Sequence, residues 1–171
     1  MKTRPLVSII IPLYNGAKEI RESLECLSAQ TYKDLEIIVV DDGSTDDSVR
    51  VVQSFGDSRV RCLSQKNQGS AAARNTGTKE SKGEYILYLD HDDLLQPEAV
   101  ERAVDFLEKS KNCGAVYSDF LYFMEGNPRR FFRHRFARDW SGNIFENLLR
   151  FGPCCNPSQT LIRKSAIGKS R

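Results

Sequence analysis

The chain alternates short, mostly apolar runs with longer stretches in which apolar residues recur every three or four positions. A short apolar run that stops at polar or turn-forming residues is typical of a buried strand, whereas three-to-four spacing is typical of a helix with one apolar face. Runs of the first kind predict strands over Leu6–Ile11, Leu35–Val40, Val60–Leu63, Tyr85–Leu89 and Ala115–Tyr117.

Stretches with helical spacing follow the first four predicted strands. In the second of these stretches, Ser44 is the expected N-cap, and Asp47, three residues on, completes a capping box. The third stretch, Gly69–Glu80, is rich in small residues that allow close packing, and Pro97 suits the first turn of the fourth. The apolar positions of the other three helices are Ile20, Leu24 and Leu27, then Val49, Val52 and Phe55, and finally Val100, Val104 and Leu107.

The last third of the chain is less regular. Phe120–Met124 and Phe131–Phe136 flank Glu125-Gly126-Asn127-Pro128, and this arrangement predicts a hairpin. Asn143–Leu149 then predicts a helix, and Gln159–Ile162 predicts a further strand.

Repeated β-α-β units predict an α/β fold with a mainly parallel, doubly wound sheet. In such sheets a ligand binds beyond the carboxyl ends of the strands, near the point where the strand order switches. The ends of three predicted strands are polar and are therefore expected to converge on one crevice: Pro12-Leu13-Tyr14-Asn15, Asp41-Asp42-Gly43-Ser44 and Asp90-His91-Asp92-Asp93.

Composition narrows the picture mainly by exclusion. A chain of 171 residues that is 40% hydrophobic and 28% charged is typical of a soluble globular protein. A net charge of +2 argues against a dedicated nucleic-acid binder, and the longest apolar run, Leu6–Leu13, is too short to cross a bilayer. The cysteines number 5, and none are paired as Cys-x-x-Cys, so we expect a reducing, cytoplasmic compartment.

The segment Asp90-His91-Asp92-Asp93 places three carboxylates within four residues. A divalent cation would relieve their repulsion, and carboxylate oxygens are preferred ligands of Mg²⁺ and Mn²⁺. The alternative is an acidic loop in which Asp93 caps the following helix. The residues by themselves leave both interpretations open.

Two further segments are candidates for binding a ligand. An aspartate of Asp41-Asp42-Gly43-Ser44 is able to accept hydrogen bonds from a base or a ribose, although a turn with a helix cap explains the same residues. In Asn67-Gln68-Gly69-Ser70 the glycine lets the backbone approach a ligand, and the following helix start offers N–H groups to anions. Arg74 adds a positive charge suited to phosphate, and the alternative is an ordinary turn with a surface arginine.

Other classes of protein share parts of this pattern. A phosphoacceptor receiver domain has an acidic pair after its first strand, whereas Asp41-Asp42 follows the second strand here. A nucleotidyltransferase needs a glycine-rich basic loop after the first strand, and Tyr14-Asn15-Gly16-Ala17-Lys18 matches it poorly. Arginines and phenylalanines alternate between Arg129 and Arg138, and a hairpin with one face of each explains them better than nucleic-acid binding.

Six segments follow one another in a recognisable order: Val7–Asn15, Ser28–Tyr32, Glu36–Asp46, Asn67–Gly77, Leu89–Asp93 and Pro97. In order and spacing they closely resemble the family 2 glycosyltransferases. The resemblance covers nearly the whole chain and is densest from Val7 to Pro97. It implies the GT-A fold, which is a three-layer α/β/α sandwich with a mainly parallel sheet, as in other nucleotide-diphospho-sugar transferases.

The resemblance also implies a reaction. A sugar passes from a nucleotide-diphosphate donor, expected to be a UDP-sugar, to an acceptor hydroxyl with inversion, with Mn²⁺ or Mg²⁺ as the cofactor. Asp92 and Asp90 correspond to the metal-binding Asp-x-Asp motif. The acceptor is expected to be a saccharide or a lipid-linked molecule, and peripheral association with the inner face of the membrane fits this reading. By position, the residues that bind the nucleotide-sugar are Pro12, Tyr14, Asn15, Asp41, Asp42, Gly43, Gly69, Arg74 and Asp90.

Residues 1–118 are predicted to form the nucleotide-sugar-binding core, and residues 119–171 the start of an acceptor-side region that is cut short. In the family, the base that deprotonates the acceptor is a carboxylate after a Gly-Phe-Asp-like turn. No carboxylate follows Glu146, and neither this residue nor Asp119 or Asp139 occupies the expected place, so no catalytic base is assigned. A non-catalytic nucleotide-sugar-binding or interaction module is therefore the alternative function.

Overall fold

The computed structural model describes residues 4–124, 127–134 and 157–168. Within these ranges the helices are α1 (Ile20–Ser28), α2 (Ser48–Gln53), α3 (Ser70–Glu80) and α4 (Ala99–Lys109), and Pro157–Gln159 and Lys164–Ala166 form short 3₁₀ turns. The strands are β1 (Val7–Leu13), β2 (Leu35–Asp41), β3 (Val60–Ser64), β4 (Tyr85–Tyr88), β5 (Ala115–Tyr117), β6 (Phe120–Met124), β7 (Asn127–His134) and β8 (Thr160–Arg163).

The described strands form a main sheet in the order β3-β2-β1-β4-β8-β5 and a separate antiparallel pair, β6-β7. The first four strands of the main sheet are parallel, whereas β8 runs antiparallel to both β4 and β5. The chain moves outward from β1 on one side and from β4 on the other, so the strand order switches between β1 and β4. A ligand crevice is expected at the carboxyl ends of these two strands.

Helices cover both faces of this sheet because alternate residues of its central strands point to opposite sides. Ile9 and Ile11 of β1 pack in the larger core with apolar residues of α1, α2 and α4. On the other face, Ile38 and Val40 of β2 pack against Ala73 of α3. The predicted three-layer α/β/α arrangement with a mainly parallel sheet is confirmed.

Helix α3 approaches the sheet closely because its buried face carries small residues. A Cβ atom placed on Gly77 would lie 2.4 Å from Cγ2 of Ile10 and 3.3 Å from Cγ2 of Val40. The prediction that small residues in this helix allow close packing is confirmed. The approach holds α3 against β1 and β2.

Helix α2 does not begin directly after Ser44, the N-cap that was predicted from the sequence. It starts at Ser48, and its N-terminus has no side-chain cap, so the assignment of Ser44 and Asp47 to a capping box is wrong. The Ser44 hydroxyl instead accepts a hydrogen bond from the Asn15 backbone N–H, and Asp46 accepts one from the Ser48 N–H. The first of these contacts joins the segment before α2 to the loop after β1, and the second is local to the start of the helix. The helix also ends at Gln53, although Phe55 still packs against the core.

The predicted hairpin and last strand are present. β6 and β7 pair antiparallel, and β7 begins at Asn127, earlier than predicted. Strand β8 inserts between β4 and β5, so residues beyond 118 contribute a strand to the main sheet. The helix predicted over Asn143–Leu149 lies outside the described residues. Among the residues that are described, no helix is long and apolar enough to cross a membrane.

Candidate functional site

An open cleft with a volume of about 270 Å³ lies at the carboxyl ends of β1, β2 and β4, beside the first turns of α3. The structure brings the three polar strand ends together there, as their positions in a parallel sheet predict. The lining residues are Pro12, Leu13, Tyr14, Asp42, Ser70, Arg74, Asp90, His91 and Asp92.

The loop after β1 contributes an exposed aromatic ring to the cleft. Tyr14 is 48% exposed, while its neighbour Asn15 adopts a positive φ of 49°. The Asn15 side-chain carbonyl accepts a hydrogen bond of 2.8 Å from the Thr45 backbone N–H. Asn15 therefore joins the loops after β1 and β2, and it does not line the cleft.

Asp42 lines the cleft with a carboxylate that is already engaged by the protein. Its Oδ1 accepts hydrogen bonds from the Gln65 side chain at 2.8 Å and the Gln68 backbone N–H at 2.9 Å, and its Oδ2 accepts one from the Gly69 N–H at 2.7 Å. Burial acts to raise the pKa of Asp42, but these hydrogen bonds outweigh it and hold that pKa below its usual value. Asp42 thereby shapes the loop that leads into α3.

Asp41 and Gly43 lie at the turn after β2, and Gly69 is an exposed residue directly before the cleft-lining Ser70. The Asp41 carboxylate accepts a hydrogen bond from the Ser44 backbone N–H at 3.0 Å, which stabilises the turn after β2. Gly43 and Gly69 have φ values of 80° and 87°, a region that favours glycine. All three residues were predicted to bind the donor, and that role stays a prediction.

Arg74 faces the acidic residues from the second turn of α3. Its Nη2 donates a hydrogen bond of 2.5 Å to Oδ1 of Asp90, and its Nη1 donates one of 3.3 Å to the Ser70 hydroxyl. The buried Nε has no hydrogen-bond partner among the described residues. The guanidinium therefore neutralises one carboxylate of the cleft, while its Nε–H has no acceptor among the residues that the structure describes.

The acidic loop, defined here as Asp90–Asp93, borders the cleft on the side of β4. Asp92 is exposed and makes no hydrogen bond or ion pair with another described residue. Burial of its carboxyl raises the pKa of Asp93, the charges of Asp90 and Asp92 act in the same direction, and a hydrogen bond with Ser158 opposes them. His91 packs its ring against Gly16, where a Cβ atom would lie 2.2 Å from the His91 Cδ2.

Side chains of α1 and of the turn that follows it hold the segment that begins with the acidic loop, a role that sequence reasoning missed. The Ser23 hydroxyl donates to the backbone carbonyl of His91 at 2.7 Å, and the Gln30 amide donates to that of Gln96 at 2.9 Å. Cys26 exchanges hydrogen bonds with the backbone of Leu95. The available signal was a row of residues at helical spacing, with Ser23 and Cys26 on one face of α1 and Gln30 just beyond its end.

The carboxylates of the acidic loop fit a divalent cation that is shared with a bound ligand. The described residues contain no preformed group of three or more ligand side chains. Mg²⁺ commonly uses only one or two protein carboxylates and takes its other ligands from water and substrate phosphates. Asp92, which has no partner within the described ranges, and Asp90 match that pattern in their chemistry and in their position at the cleft.

Comparisons with known proteins place the chain in a family. The sequence model described as Glycosyl transferase family 2 matches residues 8–170. An uncharacterized glycosyltransferase of Rickettsia typhi is 43% identical over 135 residues, which are 73% of this chain and 42% of the relative. The chondroitin synthase of Escherichia coli is 45% identical over 120 residues, which are 69% of this chain and 18% of the relative. The chain thus spans less than half the length of these relatives.

Solved structures show the same fold. The complex of Staphylococcus aureus TarS with UDP-GlcNAc matches with a TM-score of 0.74 and 23% identity over 94% of this chain and 46% of TarS. The mannosyltransferase PcManGT from Pyrobaculum calidifontis, in complex with GDP-Man and Mn²⁺, matches with a TM-score of 0.62 and 31% identity over 68% of this chain and 36% of that protein. The fold is therefore GT-A, as the sequence motifs implied.

Proposed function

The chain belongs to glycosyl transferase family 2. We propose that it is part of a glycosyltransferase, that its cleft binds a nucleotide-sugar, and that the sugar is transferred from there to an acceptor hydroxyl. The observation that carries this proposal is the meeting of Tyr14, Arg74 and Asp92 at the strand-order switch. Those residues offer a ring, a cation and a carboxylate with no partner in the part of the chain that the structure describes. They match a base, a diphosphate and a metal in turn. TarS with UDP-GlcNAc and PcManGT with GDP-Man support the class of donor.

We propose that the donor contacts residues on two sides of the cleft. The exposed ring of Tyr14 offers a flat surface on which a base is able to stack. Arg74 and the N-terminus of the 11-residue helix α3 offer positive charge and N–H groups to the diphosphate. We propose a UDP-sugar as the donor because the TarS complexes contain UDP and UDP-GlcNAc.

Asp92 and Asp90 are the residues that would hold a divalent metal, Mn²⁺ or Mg²⁺. When bound, such an ion would offset the negative charge that grows on the nucleoside diphosphate as it leaves the sugar. Asp92 is available because no described residue engages it, whereas Asp90 shares one oxygen with Arg74. Arg74 thus engages Oδ1 of Asp90, and Oδ2 would be the oxygen left for the ion.

Inversion is part of the proposal and requires a base on the face of the sugar opposite the leaving group. Asp119 lies exposed between β5 and β6, and Asp139 and Glu146 lie outside the described residues. We assign none of them as the base. The acceptor we propose is a saccharide or a lipid-linked saccharide in polysaccharide or cell-wall synthesis, since relatives of this chain include proteins named chondroitin synthase.

We also propose that the chain has two parts, a donor-binding core and the start of an acceptor-side region. Residues 1–118 contain every described residue that lines the cleft. The hairpin β6-β7 lies outside the main sheet and starts the region we propose to be on the acceptor side. Within that region, β8 returns to the main sheet and ties the two parts together.

Isothermal calorimetry of UDP binding, with and without MnCl₂, tests the proposal, and GDP serves as the competing nucleotide. We expect UDP to bind in the presence of Mn²⁺ and to bind at least about tenfold more weakly to Asp92→Ala, as expected for the loss of a metal ligand. Asp105→Ala, which removes an exposed aspartate of α4 far from the cleft, is the matched control. Absence of UDP and GDP binding, or equal binding by Asp92→Ala and the control, would count against the proposal.

A further inference from the structure

Ser158 is a buried hydroxyl that reaches the acidic loop from far along the chain. It is 6% exposed and lies in the 3₁₀ turn Pro157–Gln159, directly before β8. In sequence it is separated from Asp90 by 68 residues. Nothing in the family motifs described above includes this residue.

The Ser158 hydroxyl contacts the acidic loop at the residue where the loop begins. Its Oγ accepts a hydrogen bond of 3.1 Å from the Asp90 backbone N–H. Because a backbone N–H that leaves a sheet needs a new acceptor when it is partly buried, this bond fixes the direction in which the chain turns at Asp90.

The other contacts of the loop act at different atoms. The Asp93 N–H donates to the Asp90 carbonyl at 3.0 Å, and the Ser23 hydroxyl donates to the carbonyls of His91 and Asp93. At Leu89 the backbone N–H still bonds to Ile10 of the neighbouring strand, and at Asp90 the next N–H bonds to Ser158. Ser158 thus supplies the acceptor for the first backbone N–H that no longer bonds to a neighbouring strand, at the residue where the acidic loop begins.

We infer that Ser158 is a positioning residue of the donor and metal site, which sets the direction of the Asp90 and Asp92 carboxylates by fixing the backbone of the acidic loop. This inference rests on the proposed function, because it assumes that those carboxylates hold the metal. Groups that orient metal ligands commonly change metal affinity or activity by about 10–100-fold when they are removed. The position of Ser158 also couples the site to β8, so a displacement of β8 would reach the acidic loop directly.

The test measures Mn²⁺ binding to the UDP-saturated protein by electron paramagnetic resonance of free Mn²⁺, together with the thermal midpoint of unfolding. We expect Ser158→Ala to raise the dissociation constant for Mn²⁺ about tenfold, and Ser158→Thr, which keeps a hydroxyl, to stay within about threefold of the wild type. Ser81→Ala is the matched control, because Ser81 is also 6% exposed, donates to the Thr78 carbonyl at 2.7 Å, and precedes β4 at its opposite end. We expect that control to leave Mn²⁺ binding unchanged.

The outcomes separate this inference from the proposed function. If Asp92→Ala loses Mn²⁺ binding but Ser158→Ala stays within twofold of the wild type, the positioning role is overturned and the proposed function stands. An equal loss in Ser81→Ala would show a general effect of stability and would also overturn the role. If the wild type binds no Mn²⁺ with UDP, the proposed metal site fails and the inference fails with it.

A second variant covers the case in which Ser158→Ala does not fold. Ser158→Cys keeps nearly the same shape but has a weak donor and a weak acceptor in place of the hydroxyl. Measured with a reductant present, it should weaken Mn²⁺ binding several-fold. Binding equal to that of the wild type would overturn the inference.

Discussion

Asp42 and Asp92 border the same cleft, and each follows shortly after a parallel strand. Asp42 is 3% exposed, and its carboxylate accepts hydrogen bonds from the side chain of Gln65 and the backbones of Gln68 and Gly69. Asp92 is exposed and makes no hydrogen bond with any other described residue. Two aspartates that look alike in sequence therefore have opposite surroundings.

The difference in surroundings assigns the two aspartates different roles, one in stabilising the fold and one in binding a ligand. A buried carboxylate that accepts several hydrogen bonds stabilises the loop around it, because its removal would leave those N–H groups unpaired. An exposed carboxylate without partners adds nothing comparable to stability and stays available to a ligand. Asp42 should matter for folding and Asp92 for binding, and the following experiments challenge that division.

The largest expected effect is on the free energy of unfolding of Asp42→Asn. The amide would place a donor against N–H groups that now meet a carboxylate oxygen, so we expect a loss of about 2–3 kcal/mol in urea denaturation. Asp92→Asn, the matched change in the exposed residue, should stay within about 0.5 kcal/mol of the wild type. Equal losses in the two variants would remove the structural contrast.

A second experiment probes the contact between the loops after β1 and β4. An alanine at Gly16 would press on the His91 ring, so we expect Gly16→Ala to cost about 2 kcal/mol of stability through overpacking. His91→Ala should relieve most of that cost in the double variant, measured as a coupling energy in a double-mutant cycle. Additive effects on stability would show that the His91 ring is not the reason why a larger side chain at position 16 is unfavourable.

The next expected effect is on binding. Asp92→Asn keeps the shape of the side chain but removes its charge, and we expect UDP to bind about tenfold more weakly in MnCl₂, or about 1.4 kcal/mol. Asp105→Asn is the control for loss of an exposed aspartate outside the cleft. If Asp92→Asn retains full Mn²⁺-dependent binding, the exposed carboxylate is not the one that serves the ligand.

The smallest expected effect is on the acid dependence of stability. Hydrogen bonds hold the pKa of Asp42 below its unfolded value, which is about 3.9 for an aspartate. The unfolded chain therefore binds the proton first, and the stabilisation from Asp42 is present above about pH 4 and is lost as the pH falls through its folded pKa. Asp42→Asn should show a shallower loss of stability between pH 5 and pH 3 than the wild type. An unchanged slope would mean that other carboxylates, such as Asp57, carry the acid response.

Most of the fold followed from local pattern. The runs that became β1, β2 and β4 are apolar and stop at polar residues, so their ends were predicted within two residues. The prediction failed at Ser44, whose hydroxyl meets Asn15 from another loop instead of capping a helix. Local propensity does not reveal such a partner, because the competing contact comes from 29 residues away.

Local pattern also predicted part of the cleft, namely which residues lie at the ends of its strands and helices. The positions of Tyr14, Arg74 and Asp92 follow from their places at strand and helix ends, and the structure brings them to one cleft. Asn15, predicted as a binding residue, accepts a hydrogen bond from Thr45 of the loop after β2, whereas Asp41 accepts one from Ser44 within its own turn. The local partner of Asp41 is visible in the sequence as a turn, but the partner of Asn15 is not, because it belongs to another segment.

The amino-acid sequence by itself determined the alternation of strands and helices, the parallel sheet and the family, because hydrophobic periodicity and motif order are local properties of the chain. Only the tertiary structure decided which acidic residues are saturated with hydrogen bonds and which are open. It alone brought Ser158 to Asp90 across 68 residues. The reason is that hydrogen-bond partners at a cleft are set by how distant segments pack, and that packing is a property of the whole fold.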